Sequence, residues 1–73
     1  MTQEIKGALN YIVGYLKGTP GWVSPTQIGN ELRPVARFSP LTSGSAWASP
    51  KCRKLAEMGV LERNNKGHYR LKA

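Results

Sequence analysis

Aspartate is absent from this sequence, and histidine and cysteine occur once each, as His68 and Cys52. One cysteine excludes an intrachain disulfide and a cysteine-built zinc site, and it fits a reducing compartment. With no Asp and one His there is little material for general acid–base chemistry or for a metal cluster. The expectation is a protein that is not an enzyme and that uses no metal and no cofactor. Long apolar runs are also missing. The first residues, MTQEIKGALNYIVGYLKG, lack a basic n-region and a cleavage signal, so neither a signal peptide nor a membrane span is expected. The expected location is cytoplasmic, with no membrane partner. Disorder is not expected either, because 40% of residues are hydrophobic. A chain of 73 residues makes one domain, 1–73, and buries only about 60% of its unfolded surface.

Positive charge is abundant, and it is unevenly spread. Residues 1–32 hold Lys6, Lys17, Glu4 and Glu31, which sum to zero. Residues 33–73 hold Arg33, Arg37, Lys51, Arg53, Lys54, Arg63, Lys66, Arg70 and Lys72 against Glu57 and Glu62. The whole net charge of +7 therefore lies in the second half. A segregated charge of this kind is the electrostatic footprint of a polyanion binder.

Hydrophobic spacing supplies the elements. Ile5, Leu9, Ile12, Val13 and Leu16 form a helical stripe, with Thr2 as a start signal and Gly18-Thr19-Pro20-Gly21 as a stop. Gly7 and Gly14 inside it would let a neighbouring element come close. Trp22-Val23 has room for one or two strand residues, with Trp22 in the core or at a sheet edge. Ser24-Pro25 reads as an N-cap followed by proline at the first helical position. The helix TQIGNELR follows and ends at Pro34, and Gly29 permits tight helix–helix packing. Residues 34–44 (PVARFSPLTSG) read as a loop anchored by Val35, Phe38 and Leu41.

A third helix lies within Ser45–Met58, with Ala48, Cys52 and Leu55 on its inward stripe and Gly59 as its stop. Ser49-Pro50 repeats the earlier cap signature. The favoured expectation starts the regular helix at Pro50, after a turn around Ser45–Trp47. The other has one helix from Ser45, bent by Pro50. Cys52 belongs to the core on this stripe, which leaves it unable to pair with His68 as a thiol–imidazole couple. Val60–Arg63 and His68–Lys72 are strands, joined by a turn at Asn64-Asn65-Lys66-Gly67. Leu61, Tyr69 and Leu71 would face the core.

The order is helix, short strand, helix, loop, helix and basic hairpin. With SPTQIGNEL as second helix and KCRKLAEMGVLERNNKGHYRL as recognition helix plus wing, the chain resembles a winged helix-turn-helix domain over nearly its whole length. Leu55, Gly59, Val60, Leu61 and Tyr69 match the family's pattern at the end of the recognition helix and in the wing. Gly29 stands where the family usually has Ala, and the loop at 34–44 is longer than the family's compact turn. The resemblance implies an α+β fold: a three-helix bundle with a two- or three-stranded C-terminal β wing. It also implies a double-stranded DNA binder of the small bacterial or phage regulator type, sequence-specific in transcription regulation.

On that resemblance the recognition helix, about residues 45–58, would enter the major groove. Ser45, Ala46, Ala48 and Ser49 would let its backbone come close. Arg53 would take a bidentate guanine contact, and Lys51 and Lys54 would meet phosphates. Arg63, Lys66 and Arg70 of the wing, residues 60–72, would reach the flanking backbone or minor groove. Thr26 and Gln27 would hydrogen-bond phosphate from the start of the second helix. Trp47 has two readings: packing against Phe38 or Leu41, or a functional one, in contact with DNA sugar or a thymine methyl or as a cation–π partner for Lys51. A homodimer could use the first helix's face bearing Gly7, Gly14, Tyr11 or Tyr15. An RNA- or ribosome-associated winged helix and a protein-interaction module are the alternative functions.

Overall fold

The computed structural model describes residues 7–72. Three helices, α1 (Ala8–Lys17), α2 (Pro25–Ala36) and α3 (Gly44–Glu57), precede two strands, β1 (Leu61–Arg63) and β2 (Tyr69–Leu71). The strands pair antiparallel, with Leu61 opposite Leu71, Glu62 opposite Arg70 and Arg63 opposite Tyr69. Val23 adds one residue to the far side of β2. Its N–H donates to the Tyr69 carbonyl at 2.9 Å, and the Tyr69 N–H returns the bond at 2.8 Å. The chain is thus a small α+β domain with three helices and a two-stranded antiparallel sheet, extended by that single bridge. Among the described residues no helix is long and apolar enough to cross a membrane.

One core joins all the elements: Ile12 and Leu16 from α1, Ile28 and Leu32 from α2, Trp47, Ala48, Cys52 and Leu55 from α3, with Val23, Leu61 and Tyr69. The inward stripe of α3 is the one its spacing implies. Burial pushes the Cys52 thiol up to about 12, so it stays protonated and behaves as a small hydrophobe. The closest helix contact is between backbones. A Cβ on Gly29 would collide with the carbonyl of Gly44, and a Cβ on Gly44 would meet the backbone of Asn30 and Thr26. The packing role expected of Gly29 holds, and Gly44 is its partner.

Several boundaries differ from expectation. Thr2, Ile5 and Lys6 lie outside the described residues. Gly7 is not a helix-interior residue: it stands at the N-cap of α1 with φ 57°. Gly14 has no atom near the place of a Cβ, so it admits no close neighbour among the described residues. Pro34 does not end α2, which runs on to Ala36 and closes on Arg37 in the left-handed region, φ 55°. Pro50 does not begin α3. Ser43 caps that helix, its side chain accepting from the Ala46 N–H at 3.0 Å, so the single longer helix is the correct alternative.

Both prolines are tolerated for the same reason. Each deprives the carbonyl four residues earlier of its donor. Those carbonyls belong to Asn30 and Ala46, which are exposed, as are Pro34 and Pro50, so water can take the place of the missing N–H.

At the far end of α3, Gly59 (φ 80°) receives the chain in a Schellman arrangement. The Gly59 N–H donates to Ala56 and the Val60 N–H to Leu55. The hairpin turn rests on Asn64. Its side-chain oxygen accepts from the Lys66 and His68 N–H groups at 2.9 and 3.0 Å, and Gly67 (φ 79°) closes the turn.

Candidate nucleic-acid interface

The loop between α2 and α3 is braced from both helices. Arg33 donates to the Ser39 carbonyl at 2.9 Å and to the Thr42 carbonyl at 2.7 Å. Its guanidinium also lies 4.4 Å from the centre of the Phe38 ring. Phe38 stacks on Trp47 with centroids 4.6 Å apart and planes 8° from parallel. The Lys51 ammonium sits 4.8 Å from the Trp47 ring centre and donates to the Trp47 carbonyl at 3.1 Å. A ring face holds one such neighbour, so the four side chains form a pile with a cation at each end.

This pile settles where Trp47 goes. It is 8% exposed, and it braces the loop through Phe38. A contact with DNA sugar or a thymine methyl needs an open indole, so Trp47 leaves the set of candidate contacts. The loop anchors are corrected with it. Phe38 is packed, but Val35 is 53% exposed and Leu41 95% exposed, so neither pins the loop to the core. Arg33 does the pinning instead. No apolar spacing signals that role, because the arginine binds backbone carbonyls six and nine residues away.

The outer face of α3 carries the remaining candidates. Ala46, Pro50, Arg53, Lys54 and Glu57 are exposed, and Ser45, Ser49 and Lys51 are half-buried. Ser45 and Ser49 hydroxyls stand 3.4 Å apart, one turn from each other. Ala48 is fully buried, so it does not belong to the small residues on this outer face. Because α3 begins at Gly44, its first two turns present only small side chains outward, and Arg53 falls in the third turn.

The hairpin divides its cations. Arg63 and Lys66 are exposed, and neither has an ion-pair partner among the described residues. Arg63 shares an open cleft of about 390 Å³ with Arg53, Ala56, Glu57 and Tyr69, which joins α3 to the hairpin. Arg70 points the other way. It pairs with Glu62 at 3.1 Å and lies 4.2 Å from the ring centre of Trp22, which is a partly open cover on the sheet's outer side. The sequence reading groups Arg70 with Arg63 and Lys66; in the fold Arg70 lies on the other face of the hairpin from Arg63.

Thr26 and Gln27 sit in the first turn of α2, capped by Ser24, whose hydroxyl accepts from the Gln27 N–H at 3.2 Å. Thr26 is exposed. The Gln27 amide donates to the Tyr15 hydroxyl at 3.1 Å, which ties that side chain to α1. Tyr11 remains exposed on α1 beside the open Gly14. Comparison with protein-family models, with curated proteins and with solved structures finds no match.

Proposed function

We propose that the protein is a winged helix-turn-helix domain that binds double-stranded DNA sequence-specifically and regulates transcription. The observation that carries the reading is a pair of adjoining basic elements. Arg53 and Lys54 on α3, and Arg63 and Lys66 on the hairpin, are exposed and lack ion-pair partners among the described residues. Four exposed cations on two neighbouring elements, without ion pairs among the described residues, fit a phosphate backbone that follows both.

In this reading the first turns of α3 lie in the major groove. Ser45, Ala46, Ser49 and Pro50 face base edges, where small side chains let the helix backbone approach. Ser45 and Ser49 supply hydroxyl groups there. Arg53 reaches guanine from the third turn, and Lys54 holds a phosphate. The hairpin holds the flanking backbone through Arg63 and Lys66, and Thr26 adds a hydroxyl from α2. The domain measures 32 × 32 × 20 Å, so one copy covers about one helical turn, roughly 10 base pairs.

Titration with mixed-sequence duplex DNA at several salt concentrations tests the proposal. The expected log–log slope is roughly −3 to −6, from a handful of phosphate contacts. Binding indifferent to salt, or none at low salt, refutes it. Structured RNA that outcompetes duplex DNA at equal salt would reassign the surface to RNA. Once a preferred site has been selected from random duplexes, Arg53→Ala should weaken that site more than mixed sequence. Equal losses would remove Arg53 from base reading.

A further inference from the structure

The feature this reading leaves unused is the tip of the α2–α3 loop. Leu41 is 95% exposed, about as open as a side chain in an unfolded chain. Such exposure is ordinary on a floppy loop, but this loop is held. Arg33 grips the carbonyls of Ser39 and Thr42, on either side of the tip. The Leu41 N–H donates to the Ser39 hydroxyl at 3.1 Å, and the Thr42 N–H donates to the Ser39 carbonyl at 3.0 Å. Phe38, next to the turn, is stacked on Trp47. An apolar side chain is thus carried outward on a stiff mount.

Charge selects the partner. From Leu32 to Ala56 the sequence holds five cations and no acidic residue, and three of those cations, Arg37, Arg53 and Lys54, are exposed. The loop and the adjoining α3 therefore present apolar and positive groups together, with exposed Arg37 in the same loop. A polyanion with an apolar interior fits that combination, and the stacked bases of a duplex provide one inside a phosphate shell.

We propose that Leu41 is a wedge that enters the base stack of bound duplex DNA and bends it. The inference rests on the DNA-binding reading. Apolar wedges act by partly unstacking a base step and kinking the duplex. A wedge must resist being pushed back, and the Arg33 clamp and the Phe38–Trp47 stack supply that resistance. Flexible pyrimidine–purine steps, which unstack most easily, would be favoured at the point of insertion.

The test compares the wild-type chain with Leu41→Ala and Leu41→Met. The probes are a duplex carrying 2-aminopurine beside a TA step and an end-labelled duplex that reports bending by energy transfer. Wild type should raise the 2-aminopurine fluorescence and shorten the end-to-end distance. Leu41→Ala should abolish both signals and bind about 10- to 100-fold more weakly, the loss of one buried leucine side chain. Its salt slope should stay unchanged, because no phosphate contact is removed. Leu41→Met should keep both signals. Both variants should melt like wild type, since the position is exposed. If wild type and Leu41→Ala bind equally, with neither unstacking nor bending, the wedge is refuted and DNA binding stands. If wild type binds no duplex even at low salt, both proposals fall. Loss of affinity in Leu41→Ala without any optical change in wild type would also refute the wedge, leaving a groove-surface contact.

Discussion

The two tryptophans meet the same kind of neighbour in opposite settings. Trp47 is 8% exposed and has Lys51 at one face; Trp22 is 38% exposed and has Arg70 against it. Around Trp47 the cation closes a pile that also contains Phe38 and Arg33 and that fixes the approach to α3. Around Trp22 the cation covers the outer side of the hairpin and is paired with Glu62. The contrast shows that a count of basic residues overstates the charge open to a ligand. Arg33, Lys51 and Arg70 are engaged within the fold, whereas Arg53, Lys54, Arg63 and Lys66 lie free of ion pairs among the described residues.

The sharpest way to break this comparison is to truncate each ring. Trp47→Ala should cost about 3–5 kcal/mol, because it opens a cavity under the loop and unseats Phe38. Trp22→Ala should cost less, about 1–2 kcal/mol, since the ring is 38% open and its contact with Arg70 is solvated. Urea denaturation measures both. Equal losses would mean that the outer side of the hairpin is as much a core as the loop side.

The two engaged arginines give the next largest contrast. Arg33→Ala removes two charge-assisted hydrogen bonds to backbone carbonyls and should cost about 1.5–3 kcal/mol. Amide exchange at Leu41 and Thr42, both hydrogen-bonded to Ser39, should accelerate with it. Arg70→Ala removes an exposed ion pair and should cost about 0–1 kcal/mol, with exchange in that loop unchanged. A loop that stays protected in Arg33→Ala would show that the aromatic stack alone holds it.

The smallest effect separates neighbouring lysines on α3. Lys54→Ala should flatten the salt dependence of DNA binding by roughly one unit of slope, as expected for one lost phosphate contact. Lys51→Ala should change the slope much less, since the ammonium is held by the Trp47 carbonyl and ring. Equal flattening would show that Lys51 leaves Trp47 when DNA binds.

These results also mark what the sequence could say. The stripe Ala48, Cys52, Leu55 and the stop at Gly59 were legible because burial and left-handed geometry leave strong local signatures. Ser24-Pro25 was legible because a cap and proline at the first position agree. Ser49-Pro50 carries the same letters but lies inside α3, where the Ser43 cap and the buried Trp47 and Ala48 extend the helix upstream. Tertiary packing outweighed a local signal there. Val35 and Leu41 misled for another reason: apolar character without periodicity does not say whether a side chain is inside. The outward placement of Arg53, Lys54, Arg63 and Lys66 could be read from spacing. The contact of Lys51 with Trp47 was among the readings of that stretch, whereas that of Arg70 with Trp22 could not be read, because it depends on which aromatic face lies opposite.

The contact between Gly29 and Gly44 has a consequence for how this protein can vary. Neither position can acquire a side chain unless α2 and α3 move apart, and a change at one cannot be repaired at the other by a smaller residue, since none exists. The two sites are therefore a single locus under mutation. A saturation library selected for folding should lose nearly every substitution at both positions, while Pro34 and Pro50, which look more exacting as letters, should accept many replacements.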